Sequence, residues 1–197
     1  MWCKTNIQYF IDYLIKVTDV DTKEVVFEHK YNAENQKVYI HLASSALGDT
    51  LSWVPQLEEF RTTHKCELVI STFHNEMFES KYPDIKFVSP GTEIFDLYAM
   101  YEVGWHYGED GKVDYSKNPL NFRKNPLSKT ASDILGINYK EVKPRHTFKN
   151  TGSTIEGDYV CIAPHASSHA KYWNYKGGWQ NVIDYLNSKG YKVVMIT

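Results

Sequence analysis

The chain has 197 residues, 42% of them hydrophobic and 23% charged, a composition typical of a globular protein with a sizeable core. Its net charge of −2 gives no basis for a nucleic-acid-binding face. No uninterrupted apolar stretch reaches the roughly 18 residues of a membrane span, and the first residues contain no apolar core of a secretory signal. Three widely spaced cysteines, Cys3, Cys66 and Cys161, argue against a disulfide framework and a zinc module, so we expect a cytoplasmic protein.

Residues 7–42 are predicted to be β-structure. Apolar residues alternate with other residues from Ile7 to Ile15, and a polar turn at 19–22 precedes a return strand over 24–31. A third strand is predicted at 37–42. Because a hairpin is unusual ahead of an α/β unit, we interpret residues 1–36 as a small appended β element.

An alternation of helices and strands follows. We predict a helix over 50–63, strands at 67–71 and 85–88, and a helix over 75–81 between those strands. This order indicates a parallel sheet with right-handed crossovers. Residues 92–127 are aromatic and irregular, and a helix over 127–135 ends at Gly136.

A linker-like stretch places a domain boundary near residue 150, so residues 37–150 are predicted to be one Rossmann-like domain. The last residues repeat the pattern, with a strand at 159–163, a helix over 179–188 and a strand at 192–196. A single β-α-β unit cannot bury both faces of its sheet. We therefore expect 151–197 to be the incomplete start of a second domain, unless a partner covers it.

One carboxylate stands out, because Asp49 lies between the strand at 37–42 and the helix that follows. In an open α/β sheet this places Asp49 in the crevice beyond the carboxyl ends of the strands, where ligands bind. The helix dipole there favours an ionised carboxylate, which can act as a general base. The alternative is that Asp49 is only the N-cap of the helix. We predict the join to be small and flexible and to end at Gly48.

Two stretches resemble a known family. Residues 45–55, SALGDTLSWVP, resemble the S-x-L-G-D-x-L-x-x-x-P signature that opens the bacterial lipopolysaccharide heptosyltransferases. Residues 163–173, APHASSHAKYW, resemble the small-residue loop and K-x-W that open the second domain of those enzymes. The order of further segments, including YEVG at 101–104 and FRK at 122–124, is most similar to the autotransporter heptosyltransferases. The resemblance covers almost the whole chain and implies a GT-B-like α/β fold, of which residues 1–197 contain the first Rossmann-like domain and the first β-α-β unit of the second.

The resemblance implies roles for matched residues. Asp49 corresponds to the proposed base that deprotonates an acceptor serine, with inversion at the sugar. Lys171 corresponds to the lysine that pairs with the donor phosphates, and Ser167 and Ser168 correspond to the loop that binds them. Further candidates at the matched positions are Gly48, Thr50 and Trp173. Taken without the resemblance, Lys171 is equally compatible with an ordinary solvated lysine.

The resemblance also implies partners. These are an ADP-heptose donor and an adhesin polypeptide acceptor, with homo-oligomerisation left open. Family members carry an iron-binding cysteine cluster in a later part that is absent from this chain, so we expect no metal or cofactor here. His165 and His169 have an i, i+4 spacing that a metal could use, but no third ligand is evident and loop polarity is the simpler interpretation.

Other functions remain open. This chain alone is expected to have little or no transferase activity, because a GT-B cleft needs both walls. A non-catalytic module that binds or assembles the adhesin is one alternative, and a lipopolysaccharide-core heptosyltransferase is another. An epimerase-like enzyme is disfavoured, because no G-x-G-x-x-G motif follows the first strand.

Overall fold

The computed structural model describes residues 2–119, 124–148, 152, 154–166 and 168–196. It divides the chain into two compact units, Met1–Phe148 and Lys149–Thr197. Within the described ranges, no helix is long and apolar enough to cross a bilayer.

A four-stranded parallel sheet forms the centre of the first unit. Its strands are β3 (Lys37–Leu42), β4 (Glu67–Ser71), β5 (Ile85–Val88) and β6 (Ala99–Val103), in the spatial order β5-β4-β3-β6. The strands β3, β4 and β5 have the predicted bounds. The carboxyl ends of all four strands therefore share one edge of the sheet, which we call the carboxyl edge.

Helix α1 (Leu47–His64) covers one face of this sheet. The inward residues of β3, Val38, Ile40 and Leu42, are fully buried together with α1 residues that include Val54 and Phe60. The side chain of Lys37 lies on the opposite face, and its Nζ donates to the carbonyl of Phe95. The connection from β5 to β6 thus runs near that second face, as a right-handed return across the sheet requires.

Helix α2 (Leu127–Leu135) packs beside α1, and its bounds and its Gly136 stop agree with the prediction. Gly136 has a φ of 67°, and a Cβ there would collide with the ring of Phe10. Buried polar contacts join the two helices: Trp53 Nε1 donates to the carbonyl of Leu127 at 3.2 Å, and Ser132 Oγ donates to Gln56 Oε1 at 2.8 Å. These contacts satisfy polar groups that would otherwise be costly to bury.

The N-terminal hairpin is a separate two-stranded antiparallel sheet of β1 (Leu14–Thr18) and β2 (Val25–Lys30). The Asp19 carboxylate accepts the backbone N–H groups of Asp21 and Thr22 and so forms the turn. The prediction that β-structure begins at Ile7 is wrong. The backbone before β1 binds elsewhere, since Phe10 N donates to the carbonyl of Asp133.

Two further predictions differ from the structure. The predicted helix over 75–81 is two short 3-10 turns, Asn75–Met77 and Glu79–Lys81. The Asn75 side chain binds backbone groups on both sides, accepting from Thr72 N and donating to the carbonyl of Val88, which competes with helix formation. Strand β6 was not predicted, because its alternation is short and embedded in an aromatic stretch.

The second unit contains β7 (Tyr159–Ile162), α3 (Gly178–Ser188) and β8 (Lys192–Met195). The two strands pair in parallel, as predicted for a β-α-β unit. A 3-10 turn, His169–Lys171, lies in the long connection between β7 and α3. The predicted bounds of all three main elements agree with the structure to within one residue.

Stability should depend on pH through His64. Its ring contacts Phe60 and Tyr31, its Nε2 is buried without a hydrogen-bond partner, and burial lowers its pKa below the usual 6.5. The unfolded chain therefore binds the proton more readily than the folded chain. The contribution of neutral His64 to the stability of the fold is present above pH 6.5, the pKa of an unfolded histidine, and is lost as the pH falls through the lower pKa of His64 in the folded protein. In urea unfolding at a series of pH values, His64→Phe should show a weaker loss of stability on acidification than wild type. The exposed-site control His165→Phe should keep the wild-type slope, and an unchanged slope in His64→Phe would contradict this account.

The three thiols should differ in reactivity. Cys3 and Cys161 are exposed, whereas Cys66 is buried, and burial raises the pKa of its thiol to about 11. Because the thiolate is the reactive form, two thiols should react rapidly with Ellman's reagent in the native protein and the third only after unfolding. Rapid reaction of all three thiols would show that Cys66 is accessible.

Candidate functional site

The site in the first unit begins where β3 ends and α1 begins. The N-cap of α1 is Ala46, with extended backbone angles of −72° and 128°, and no side chain caps the helix. Ser44 Oγ accepts from Ala46 N at 3.1 Å and shapes the approach. The interpretation of Asp49 as the N-cap is therefore wrong, because Asp49 is the third residue of the helix. Gly48 likewise lies inside the first turn and does not end the join.

The carboxylate of Asp49 is half-buried in this first turn. Among the described residues it takes part in no ion pair or hydrogen bond. Asp49 thus lies in the first turn of α1 at the carboxyl edge, and its role as a base stays a prediction.

The residues before and after Asp49 have different environments: Gly48 borders open space, and Thr50 holds the first turn of α1. A Cβ on Gly48 would meet nothing within 4 Å, so the fold does not require glycine there and the surface beside Asp49 is open. Thr50 is fully buried, and its Oγ1 donates to the carbonyl of Ala46 at 3.3 Å. Of these two site candidates, Gly48 leaves room for a ligand, while Thr50 holds the turn.

Two hydrogen bonds that were not predicted connect the loops at the carboxyl edge. His74 Nε2 donates to the carbonyl of Ser45 at 2.9 Å, which joins the loop after β4 to the loop before α1. Ala43 N donates to the carbonyl of Val103 at 3.0 Å, which joins the ends of β3 and β6. For the hydrogen bond between Ala43 and Val103, the one indication in the sequence is the family resemblance of residues 101–104.

Gly104 is required by close packing at this edge. A Cβ at this position would lie 2.8 Å from the Cβ of Ala43, nearer than real side chains approach. The absence of a side chain lets the loop that leads to Asp49 lie against the end of β6. A larger residue at Gly104 would displace the segment that positions Asp49.

A polar network lies on the sheet face opposite α1. Ser71, the last residue of β4, is fully buried, and its Oγ lies 2.8 Å from His41 Nδ1 and 2.7 Å from Tyr39 Oη. Both partners belong to β3. This network was not predicted, because it depends on the parallel pairing of β3 with β4.

The aromatic stretch that follows has two different environments. Tyr98 and Tyr101 pack with the core, and burial raises the pKa of Tyr101 to about 12. Tyr107 and Tyr115 are exposed. Phe122, also in the predicted aromatic stretch, lies outside the described residues.

The remaining candidates lie in the second unit. Lys171 is exposed at the end of a 3-10 turn, where its backbone N–H donates to the carbonyl of Ser168 at 3.0 Å. Ser168 is also exposed, and Ser167 lies outside the described residues. Trp173 contacts Trp179 edge-to-face at 5.3 Å and packs so closely on Gly178 that a Cβ there would collide with its ring. Trp173 therefore supports the loop that carries Lys171.

The two histidines of this loop contact an aromatic ring. His169 stacks on Tyr172 at 5.2 Å, and His165 meets the same ring edge-to-face at 6.0 Å. The described residues include no group of three or more histidine, cysteine, aspartate or glutamate side chains that could hold a metal ion.

Comparison with known proteins gives no matching family model but clear relatives. The chain is 31% identical over 99% of its length to the autotransporter heptosyltransferase TibC of Escherichia coli O78:H11, of which it covers 48%. It is also 31% identical over 99% of its length to the heptosyltransferase BAHTCr of Citrobacter rodentium, of which it covers 47%. The inactive autotransporter heptosyltransferase BimC of Burkholderia thailandensis is 27% identical over 96% of the chain, and the chain covers 44% of it.

Solved structures agree with these relatives. The iron-containing dodecameric glycosyltransferase TibC matches 99% of the chain and 50% of its own length with a TM-score of 0.82. A complex of TibC with ADP-D-β-D-heptose matches with a TM-score of 0.81. The parallel sheet and these matches confirm the predicted Rossmann-like α/β fold. Over almost its whole length the chain is similar to the autotransporter heptosyltransferases, and it spans about half the length of the curated relatives that it matches.

Proposed function

We propose that the full-length protein containing this chain is an inverting glycosyltransferase that moves heptose from ADP-heptose to serine hydroxyls of an autotransporter adhesin. The observation that carries the proposal is the carboxylate of Asp49 at the carboxyl edge, which has no partner in the part of the chain that the structure describes, in a chain 31% identical to two autotransporter heptosyltransferases. The ADP-heptose bound in the TibC complex supports a nucleotide-sugar donor. The acceptor is inferred from the names of the relatives.

The chemistry assigns Asp49 the role of general base. Its carboxylate takes the proton of the serine hydroxyl while the serine oxygen bonds to the anomeric carbon. The bond from that carbon to the diphosphate breaks, and its electron pair leaves with ADP. An alcohol is a poor nucleophile without such a base. Asp49 therefore raises the rate of transfer by removing the hydroxyl proton as the serine oxygen attacks.

The second unit would stabilise the leaving group. Lys171 offers an ammonium group to the diphosphate, and Ser167 and Ser168 belong to the small-residue loop that would hydrogen-bond to it. Positive charge placed where negative charge develops lowers the barrier. In this proposal, Trp173 keeps the Lys171 loop in place by packing on Gly178.

A specific observation favours a second candidate function. BimC, related over 96% of the chain, is named as inactive, so this architecture also occurs without transfer. A non-catalytic module that binds or assembles the adhesin would keep the fold but would not use Asp49. The half-buried carboxylate of Asp49, which has no partner among the described residues, supports the enzyme.

The assembly and location of the protein are part of the proposal. TibC is described as dodecameric, and in this chain Val25 and Phe27, which lie on one face of β2, are more than half exposed. Such an apolar surface is suited to contact between copies. Free thiols at Cys3, Cys66 and Cys161 are compatible with the cytoplasm, where we place the reaction.

The test offers the purified full-length protein two acceptors, an adhesin polypeptide and a lipopolysaccharide-core acceptor, each with ADP-heptose. We expect mass spectrometry to show heptose-sized additions on adhesin serines only. Addition only to the lipopolysaccharide core would select the other kind of heptosyltransferase. Adhesin binding without any addition would select the non-catalytic module.

A further inference from the structure

Three polar residues form a row across adjacent strands at the carboxyl edge. His41 of β3 is in register with Ser71 of β4 on one side and with Glu102 of β6 on the other. Residues paired in register across a parallel sheet point to the same face. The imidazole therefore lies between a buried hydroxyl and an exposed carboxylate, on the face opposite α1.

The buried side of this row orients the imidazole. Ser71 Oγ has one proton to give and is shared by Tyr39 Oη at 2.7 Å and His41 Nδ1 at 2.8 Å. Each of these contacts can form in either direction, because a hydroxyl both donates and accepts and a neutral imidazole has two tautomers. In the arrangement in which Tyr39 donates to Ser71 and Ser71 donates to Nδ1, His41 carries its proton on Nε2, which points away from Ser71.

The row does not have the geometry of a nucleophilic triad. Ser71 is fully buried, so its hydroxyl cannot reach a substrate, and it binds Nδ1 rather than Nε2. Among the residues that the structure describes, His41 and Glu102 form no ion pair with each other. An imidazole and a carboxylate thus lie at paired positions of neighbouring strands, about 4.8 Å apart in backbone spacing, with no ion pair between them in the described part of the chain.

We propose that His41 and Glu102 bind a hydroxyl group of a substrate, with Nε2–H of His41 donating to the hydroxyl oxygen and the Glu102 carboxylate accepting the hydroxyl proton. A hydroxyl group both accepts and donates a hydrogen bond, so it can use one donor and one acceptor on neighbouring strands. Phosphate fits poorly, because Glu102 would repel it. This inference rests on the proposed function, which supplies two sources of such a group: the heptose of the donor and the serine of the acceptor.

The test uses the full-length protein that contains this chain, labelled with ¹⁵N in its histidines. Long-range ¹H–¹⁵N NMR spectra identify the protonated nitrogen, and His41→Gln assigns the signals by removing them. The probes are ADP-heptose, ADP alone and a serine-containing adhesin peptide. We expect the Nε2-protonated tautomer, and a shift of the Nε2 signal with either ADP-heptose or the peptide but not with ADP. The responding probe identifies the source of the hydroxyl.

Two variants separate binding from structure. Glu102→Gln should weaken binding of the responding probe about tenfold or more, because a charge-assisted hydrogen bond becomes a neutral one. The matched control is Glu67→Gln, an exposed glutamate on the same face at the amino end of β4, which should bind as wild type does. Ser71→Ala should change the tautomer of His41, which a purely space-filling serine would not do.

Several results would overturn the inference. These are an Nδ1-protonated His41, a His41 signal that no probe shifts, a shift with ADP alone, or equal weakening by Glu102→Gln and Glu67→Gln. If the full-length protein transfers heptose but no probe shifts the His41 signal, the hydroxyl-binding site is rejected and the transferase proposal stands. If a probe shifts the His41 signal but the protein transfers no heptose, the transferase proposal is rejected and the hydroxyl-binding site stands.

Discussion

Asp49→Asn in the full-length protein should lower the rate of heptose transfer by about 10²- to 10⁴-fold, the usual contribution of a general base. The amide has nearly the shape of the carboxylate but cannot take a proton. Asp49 forms no hydrogen bond or ion pair within the described part of the chain, so the substitution should leave stability almost unchanged. The measurement is single-turnover transfer from ADP-heptose, with urea unfolding alongside.

The matched control for this variant is Asp84→Asn. Asp84 is an exposed carboxylate just before β5, at the opposite edge of the same sheet, and within the described ranges its polar contact is a long one of 3.4 Å with Arg61. Its loss should leave the rate near that of wild type. A full rate in Asp49→Asn, or an equal fall in both variants, would remove Asp49 from the mechanism.

Trp53→Ala should destabilise the first unit by about 3–5 kcal/mol. The indole is fully buried between α1 and α2, so its removal leaves a cavity, and the Leu127 carbonyl loses the hydrogen bond from Nε1. Trp53→Phe fills much of the space but still lacks the donor, so it should cost less. Urea unfolding followed by far-ultraviolet circular dichroism gives these free energies without relying on tryptophan fluorescence.

Trp2→Ala is the control for the loss of a tryptophan. Trp2 is 63% exposed, and its removal should change stability by less than about 0.5 kcal/mol. Similar destabilisation by both substitutions would mean that the packing of α1 on α2 does not depend on Trp53.

Local patterns account for the parts of the fold that were predicted well. Strand β3 alternates buried and half-buried residues along its whole length, and α2 has a Gly136 stop at its end. The errors arose where non-local contacts decide the backbone conformation. Residues before β1 have an alternating pattern, but Phe10 binds α2 instead of a strand. The side chain of Asn75 replaces helix hydrogen bonds in its own segment.

The site was predictable to a similar degree. The order of strand and helix placed Asp49 at the carboxyl edge, and the resemblance suggested its role, but the position of the N-cap depends on backbone angles at Ala46. The row of Ser71, His41 and Glu102 could not be predicted, because its members are about 30 residues apart in sequence and meet only through strand register. The roles of Asp49 and Lys171 remain predictions.

The most direct measurement is the intact mass of an autotransporter adhesin co-expressed with the full-length protein, as wild type, Asp49→Asn and Asp84→Asn. We predict heptose-sized additions, mapped to serines, with wild type and Asp84→Asn, and an unmodified adhesin with Asp49→Asn at equal expression. Heptose on the adhesin in the presence of Asp49→Asn, or none with wild type, would contradict the account.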